Sequence, residues 1–185
     1  MKRPTHWQAN PQAMAAVSTR MEFTGDERLG GEIDPDTWLT PRFILESLGK
    51  FDLDPCAAAQ NRDWVAPRNW IRSEDGLDRR WEGRVFMNPP FSNTTPWIRK
   101  HALHANGISL VPASVESQVW REVVWREAVG ILLLHGRTRF CNPDGSSTQG
   151  RPLRSVCLIA WTTHDAVILS DSALAGVFLK DWHQR

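Results

Sequence analysis

Short apolar runs of strand length alternate with capped helical segments along most of this chain, and that alternation constrains its fold more than any other feature. Phe51-Asp52-Leu53-Asp54-Pro55 has the pattern of a short strand stopped by proline, and Gly83-Arg84-Val85-Phe86-Met87 that of a second. Thr95-Pro96 opens a helix to about residue 105, Ile108-Ser109-Leu110-Val111 forms a strand, and residues 116–128 form a helix with Val119, Val123 and Val124 along one side. Val129 to Leu134 is a buried strand, and residues 138–141 are expected to pair with 153–161 as a hairpin around the polar loop Asn142 to Arg151. Upstream, Thr40 is expected to N-cap a helix with Pro41 in its first position, an apolar face of Phe43, Ile44, Leu45 and Leu48, and an end at Gly49. A last helix is expected to be capped by Ser170 or Asp171, with Leu174, Val177 and Phe178 facing inward. The pattern predicts an α/β fold with an open, mostly parallel sheet, helices on both faces and a C-terminal antiparallel hairpin. Such sheets bind ligands at the carboxyl ends of their strands.

With 185 residues and 41% hydrophobic content, the chain can bury one sizeable core. Residues 36–185 are expected to form that single domain. Residues 1–35 carry Pro4, Pro11, Gly25, Gly30, Gly31 and Pro35 without a sustained period, which predicts a flexible arm with at most one short helix near 11–20. No apolar run approaches the ~18 residues that span a bilayer, and no signal-type stretch follows Met1. Cys56, Cys141 and Cys157 lack the spacing of a disulfide framework or a zinc site. A cytoplasmic protein with neither a metal nor a membrane partner is expected. The net charge of +1 does not itself point to a polyanion. Lysine stands only at Lys2, Lys50, Lys100 and Lys180, however, so the positive charge is nearly all arginine, whose planar fork suits phosphates and guanine edges.

Asn88-Pro89-Pro90-Phe91 follows directly on a predicted strand, where a ligand would sit. An exocyclic amino group on an aromatic base is a poor nucleophile because its lone pair is delocalised into the ring. Two acceptors that hold its hydrogens out of the plane correct this, and the Asn88 side-chain oxygen with the Pro89 backbone carbonyl can supply them. Pro89 and Pro90 fix the backbone so that both point at one spot, and Phe91 offers a face on which an extruded base can stack.

The tetrapeptide resembles the amino-methyltransferase motif Asn/Asp/Ser-Pro-Pro-aromatic. Thr40-Pro41 resembles the helix start that binds the methionine carboxylate in those enzymes. Asp52-Leu53-Asp54-Pro55-Cys56-Ala57 resembles the first-strand cofactor motif, and Glu74-Asp75-Gly76-Leu77 the acidic motif that holds the cofactor's adenine amino group. The run from Trp38 through Trp81 and Trp97 to Gly136-Arg137 and Arg139-Phe140 is similar to phage-type DNA adenine methyltransferases, the Dam-like family of phage and prophage. The resemblance implies a Rossmann-like methyltransferase fold, S-adenosylmethionine as cofactor and double-stranded DNA as substrate, with GATC as the first candidate site. It also implies cofactor contacts from Thr40, Pro41, Asp52, Asp54, Pro55, Cys56, Asp75 and Asn88. The glycine-rich turn of many methyltransferases is replaced here by Pro55-Cys56-Ala57-Ala58-Ala59.

Arg137, Arg139, Arg151 and Arg154 concentrate guanidinium groups beside the expected hairpin, where they can contact DNA. Two other readings stay open: methylation of an RNA base or a protein amide by the same device, and a catalytically silent DNA-binding relative. Methylation at cytosine carbon is not supported. Pro55-Cys56 has the dipeptide, but no Glu-Asn-Val accompanies it, and Ala59 stands where a Pro-Cys-x-x-Cys zinc site needs cysteine.

Overall fold

A computed structural model of the protein describes residues 36–146 and 155–182. The expected arm with its short helix, and Arg151 and Arg154, lie outside the described residues. Seven strands, β1 (Leu53–Asp54), β2 (Arg68–Asn69), β3 (Val85–Met87), β4 (Gly107–Pro112), β5 (Gly130–Leu134), β6 (Val156–Ala160) and β7 (Gly176–Leu179), form one sheet in the order β2-β1-β3-β4-β6-β5-β7. β2, β1, β3 and β4 are parallel. β6 is antiparallel to both β4 and β5, so β5 runs with the parallel set, and β7 reverses again on the outer side of β5.

The central strands are apolar at nearly every position because both sheet faces are covered. Phe86, Ile108, Leu110, Leu132, Val156, Leu158 and Ala160 point to one face, where they meet helix α1 (Arg42–Leu48) and helix α4 (Thr163–Asp171). Val85, Met87, Val111, Ile131, Cys157 and Ile159 point to the other, against helix α2 (Thr95–His104) and a π-helical stretch, Trp120–Val124, that runs into α3 (Trp125–Glu127). Trp120 and Phe86 are fully buried, each worth about 1.5–3 kcal/mol of transfer free energy. β3 and β4 approach so closely that a Cβ on Gly107 (φ +123°) would stand 1.9 Å from the Val85 carbonyl oxygen.

Three expectations need correction. Among the described residues, 138–141 do not pair with 155–161. Cys141 pairs instead with Leu39, and β6 lies between β4 and β5, the place that a strand apolar on both faces demands. The antiparallel closure is therefore made by β5, β6 and β7. Ser170 and Asp171 end a helix instead of starting one: the Thr162 side chain caps α4 by accepting from the Asp165 N–H, and Gly176–Leu179, with its Val-Phe pair, is a strand with Val177 exposed. At α1 the N-cap is Pro41, one residue later than expected, and no side chain caps it. Phe43 is 60% exposed, because Ile44, Leu45 and Leu48 fill the inward stripe.

Polar groups beneath the sheet are matched in pairs. His101, fully buried on α2, accepts from the Ser109 hydroxyl at Nδ1 (2.8 Å) and donates from Nε2 to the Asn106 carbonyl (3.3 Å), while Trp161 donates to the same Ser109 oxygen (2.8 Å). Burial holds His101 down to about pKa 3, so it is neutral.

Candidate active site

β1 and β3 are neighbours in register, Leu53 against Val85, so Asp54 and Asn88 leave the sheet at adjacent carboxyl ends. Because β5 is parallel to them, the loop after it, with Arg137, Arg139 and Phe140, leaves the same edge.

Asn88 is half-buried, and its amide is oriented by the chain around it. Nδ2 donates to the Trp38 carbonyl at 2.8 Å, and a carbonyl facing that position admits only the amide nitrogen. Among the described residues nothing donates to Asn88 Oδ1 or to the Pro89 carbonyl, so both acceptors expected to grip an amino group are open. Phe91 is half-buried, with the ring of buried Phe140 against it edge-to-face at 5.5 Å and 84°. Asp36 accepts from the Phe91 N–H at 3.1 Å and the Ser92 N–H at 3.2 Å. Leu39 and Cys141 exchange two backbone hydrogen bonds of 3.0 Å, tying the segment before α1 to the loop after β5.

Asp54 is 5% exposed and accepts from the Cys56 N–H at 2.9 Å. Burial pushes its carboxyl up to about pKa 7, against the lowering effect of that hydrogen bond. Burial, reinforced by the Asp54 charge, also pushes the Cys56 thiol well above its ordinary value, the opposite of what a thiolate nucleophile requires. Pro55 is buried, and Gly76 lies directly on it: a Cβ at Gly76 would stand 2.1 Å from the Pro55 carbonyl oxygen. The Asp75-Gly76-Leu77 turn is thus fitted to the segment after β1. Asp75 has a left-handed backbone (φ 47°), is exposed, and accepts from the Leu77 N–H at 3.1 Å. A cleft of about 440 Å³ is lined by Thr37, Ala57, Ala59, Gln60, Ile71, Arg72 and Ser73.

Thr40 is 1% exposed, and its hydroxyl oxygen is buried without a hydrogen-bond partner. Its backbone carbonyl accepts from Trp64 Nε1 at 2.8 Å, which fixes its position. An unpaired buried hydroxyl costs about 1–3 kcal/mol.

The structure places Asp54 and Asn88 at the adjacent carboxyl ends of β1 and β3, with Cys56 bonded back to Asp54, the Asp75-Gly76 turn packed on Pro55, and Thr40 and Pro41 two and three residues after the Trp38 that holds Asn88. It does not bring Asp52 to those strand ends. Asp52 precedes β1, is exposed, and its carboxylate accepts from the Arg84 N–H at 2.7 Å beside the start of β3. Arg137 and Arg139 are exposed at the site edge. The sequence reading missed Asp36 and the Trp38 carbonyl, whose partners lie 55 and 50 residues away and leave no local signal. It also missed the cleft residues Thr37, Gln60 and Arg72. Among the described residues, no group of three or more His, Cys, Asp and Glu could hold a metal ion, and no helix is long and apolar enough to cross a membrane.

The family model described as DNA N-6-adenine-methyltransferase (Dam) matches residues 31–176. The chain belongs to the Dam family. Dam membership makes it a DNA adenine methyltransferase with DNA as its substrate. The match spans the whole sheet up to the first residue of β7, including every site element described above. Comparison with curated proteins and with solved structures returned no match.

Proposed function

We propose that the protein methylates N6 of an adenine flipped out of double-stranded DNA, using S-adenosylmethionine. The observation that carries this reading is the Asn88 amide, pinned at nitrogen by the Trp38 carbonyl, with no donor among the described residues to its oxygen or to the neighbouring Pro89 carbonyl.

The residues present fit the cofactor. Thr40 offers an unpaired buried hydroxyl and Asp54 a buried carboxyl at a strand end, Pro55, Cys56 and Asp75 lie within two residues in sequence of the cleft-lining Ala57 and Ser73, and Pro41 follows Thr40 at the start of α1. Once bound, S-adenosylmethionine supplies an electrophilic methyl on a sulfonium. The chain's own work is positioning. Asn88 Oδ1 and the Pro89 carbonyl each hold one amino hydrogen, turning the nitrogen lone pair out of the ring plane, and both stabilise positive charge as it develops on that nitrogen. Phe91 carries the base on one face while Phe140 braces the ring at its edge. No general base is needed before the bond forms. Arg137 and Arg139, with Arg151 and Arg154 further along the sequence, contact the DNA, for which GATC is the first site to test.

Labelled methyl transfer to duplex DNA, RNA and protein substrates, run side by side, tests the reading. Label in DNA alone, recovered on adenine, is expected. Label in RNA or protein would redirect it to another acceptor, and no transfer to any of the three would make the chain a silent relative.

A further inference from the structure

The Asp36 carboxylate makes three hydrogen bonds to one short loop. Oδ1 accepts the Phe91 N–H (3.1 Å), and Oδ2 accepts the Ser92 N–H (3.2 Å) together with the Ser92 hydroxyl. These two N–H groups open the 3-10 turn Phe91–Asn93, whose N-cap is Pro90 and which no neighbouring side chain caps. Consecutive N–H groups facing one point form a cradle for an anion, and a carboxylate with two oxygens satisfies both at once. Asp36 is thus a cap supplied from 55 residues away.

Two residues further on, the Trp38 carbonyl holds the Asn88 amide. The segment Asp36-Thr37-Trp38 therefore grips the tetrapeptide at both ends, at Asn88 and at Phe91-Ser92, and is itself tied down by the Leu39–Cys141 pair. Between the two grips lie Pro89 and Pro90, which are stiff, so an orientation set at the ends is passed to the Pro89 carbonyl.

We propose that Asp36 is a positioning residue for methyl transfer: its carboxylate fixes the turn after Pro90 so that Asn88 Oδ1, the Pro89 carbonyl and the Phe91 ring converge on the base. The proposal rests on the reading of Asn88 and Pro89 as the acceptors of the amino hydrogens. A displacement of about 1 Å in a reacting geometry lowers the rate by about 100-fold without touching the bulk of binding energy, and that is the effect expected when the clamp is released.

The test compares Asp36→Ala, Asp36→Asn and Asn88→Ala in the full chain. Asp36→Ala is expected to lower kcat about 100-fold, with cofactor affinity unchanged, and to speed hydrogen exchange of the Phe91 and Ser92 amides while those of β4 keep their protection. Asp36→Asn retains one acceptor oxygen and is expected to recover part of kcat. Wild-type kcat in Asp36→Ala beside an inactive Asn88→Ala would overturn the clamp alone. Full activity in Asn88→Ala would overturn the reading beneath it. Loss of activity together with cofactor binding and β4 protection would show a role only in folding, and would also overturn the proposal.

Discussion

Arg84 and Asp165 meet in a 2.7 Å ion pair at the amino edge of the parallel strands, the edge opposite Asn88. Asp165 is fully buried, and its other oxygen accepts from the Gly107 N–H (3.0 Å) and the Thr162 hydroxyl (2.5 Å). Arg84 also donates to the carbonyls of Leu48 and Lys50 and lies 4.2 Å over the Phe51 ring. One pair thus joins the starts of β3, β4, α1's exit and α4, and holds the sheet that the opposite edge uses. Removing one partner leaves a buried charge uncompensated. Asp165→Ala is expected to destabilise the protein by about 3–5 kcal/mol by urea denaturation, while cofactor affinity of the remaining folded protein is unchanged. A loss below about 1 kcal/mol would show that water replaces the missing partner.

Thr40 offers a test in which stability and binding separate. Thr40→Val keeps the shape and removes a hydroxyl that is buried without a partner. The cofactor-free protein is expected to be at least as stable as wild type by thermal denaturation, because an unsatisfied group has gone. Cofactor affinity, measured by calorimetry, is expected to fall about tenfold, the equivalent of about 1.4 kcal/mol. Unchanged affinity would remove Thr40 from the binding site.

Two buried groups tilt stability in opposite directions with pH. His101 has a folded pKa of about 3 against an ordinary 6.5, so below pH 6.5 the unfolded chain takes up a proton that the fold refuses, and its contribution falls as pH drops. Asp54 has a folded pKa of about 7 against 3.8, so above pH 3.8 the unfolded chain releases a proton that the fold keeps, and its contribution falls as pH rises. Each slope is at most about 1.4 kcal/mol per pH unit, and the two oppose each other. Wild-type stability is expected to be nearly flat from about pH 4.5 to 6, whereas Asp54→Asn leaves a profile rising with pH and His101→Gln leaves a falling one. Parallel profiles in all three proteins, by urea denaturation, would contradict this.

Arg137 and Arg139 carry the prediction for DNA. If each neutralises one phosphate, replacing either by Ala is expected to weaken binding and reduce the slope of log K against log salt by about one unit. A variant with the wild-type slope and altered site preference would assign that arginine to base reading instead.

The parts of the fold legible from sequence are those with a local cause. Proline stops β1 after Asp54, two prolines fix the tetrapeptide after β3, and the run of β4, apolar but for Ser109, marks a strand covered on both faces. The same rule places Val156–Ala160 in the interior of the sheet. A hairpin with residues 138–141 would have left one edge of that strand uncovered, and 138–141 is a loop between Arg137 and the Leu39 pairing. The cap of α4 was also local, as Thr162 followed three residues on by Asp165, but the Ser170-Asp171 signal competed with it. Asp36 and Trp38 were not legible in principle, because what defines them is an approach across 55 and 50 residues. Nor does any local pattern separate Asp54, at the site, from Asp52, turned to Arg84: two residues apart they share one side of an extended chain, and what separates them is that Asp52 stands before β1 and Asp54 at its carboxyl end.

The central claim is that Asn88 holds the amino group of adenine for methylation. Mass spectrometry of nucleosides from duplex DNA treated with the purified protein and S-adenosylmethionine tests it most directly. Wild type is expected to yield N6-methyladenine as the methylated product, and Asn88→Ala to lose it by several orders of magnitude while still binding the cofactor. N4-methylcytosine as the sole product, or undiminished N6-methyladenine from Asn88→Ala, would contradict the account.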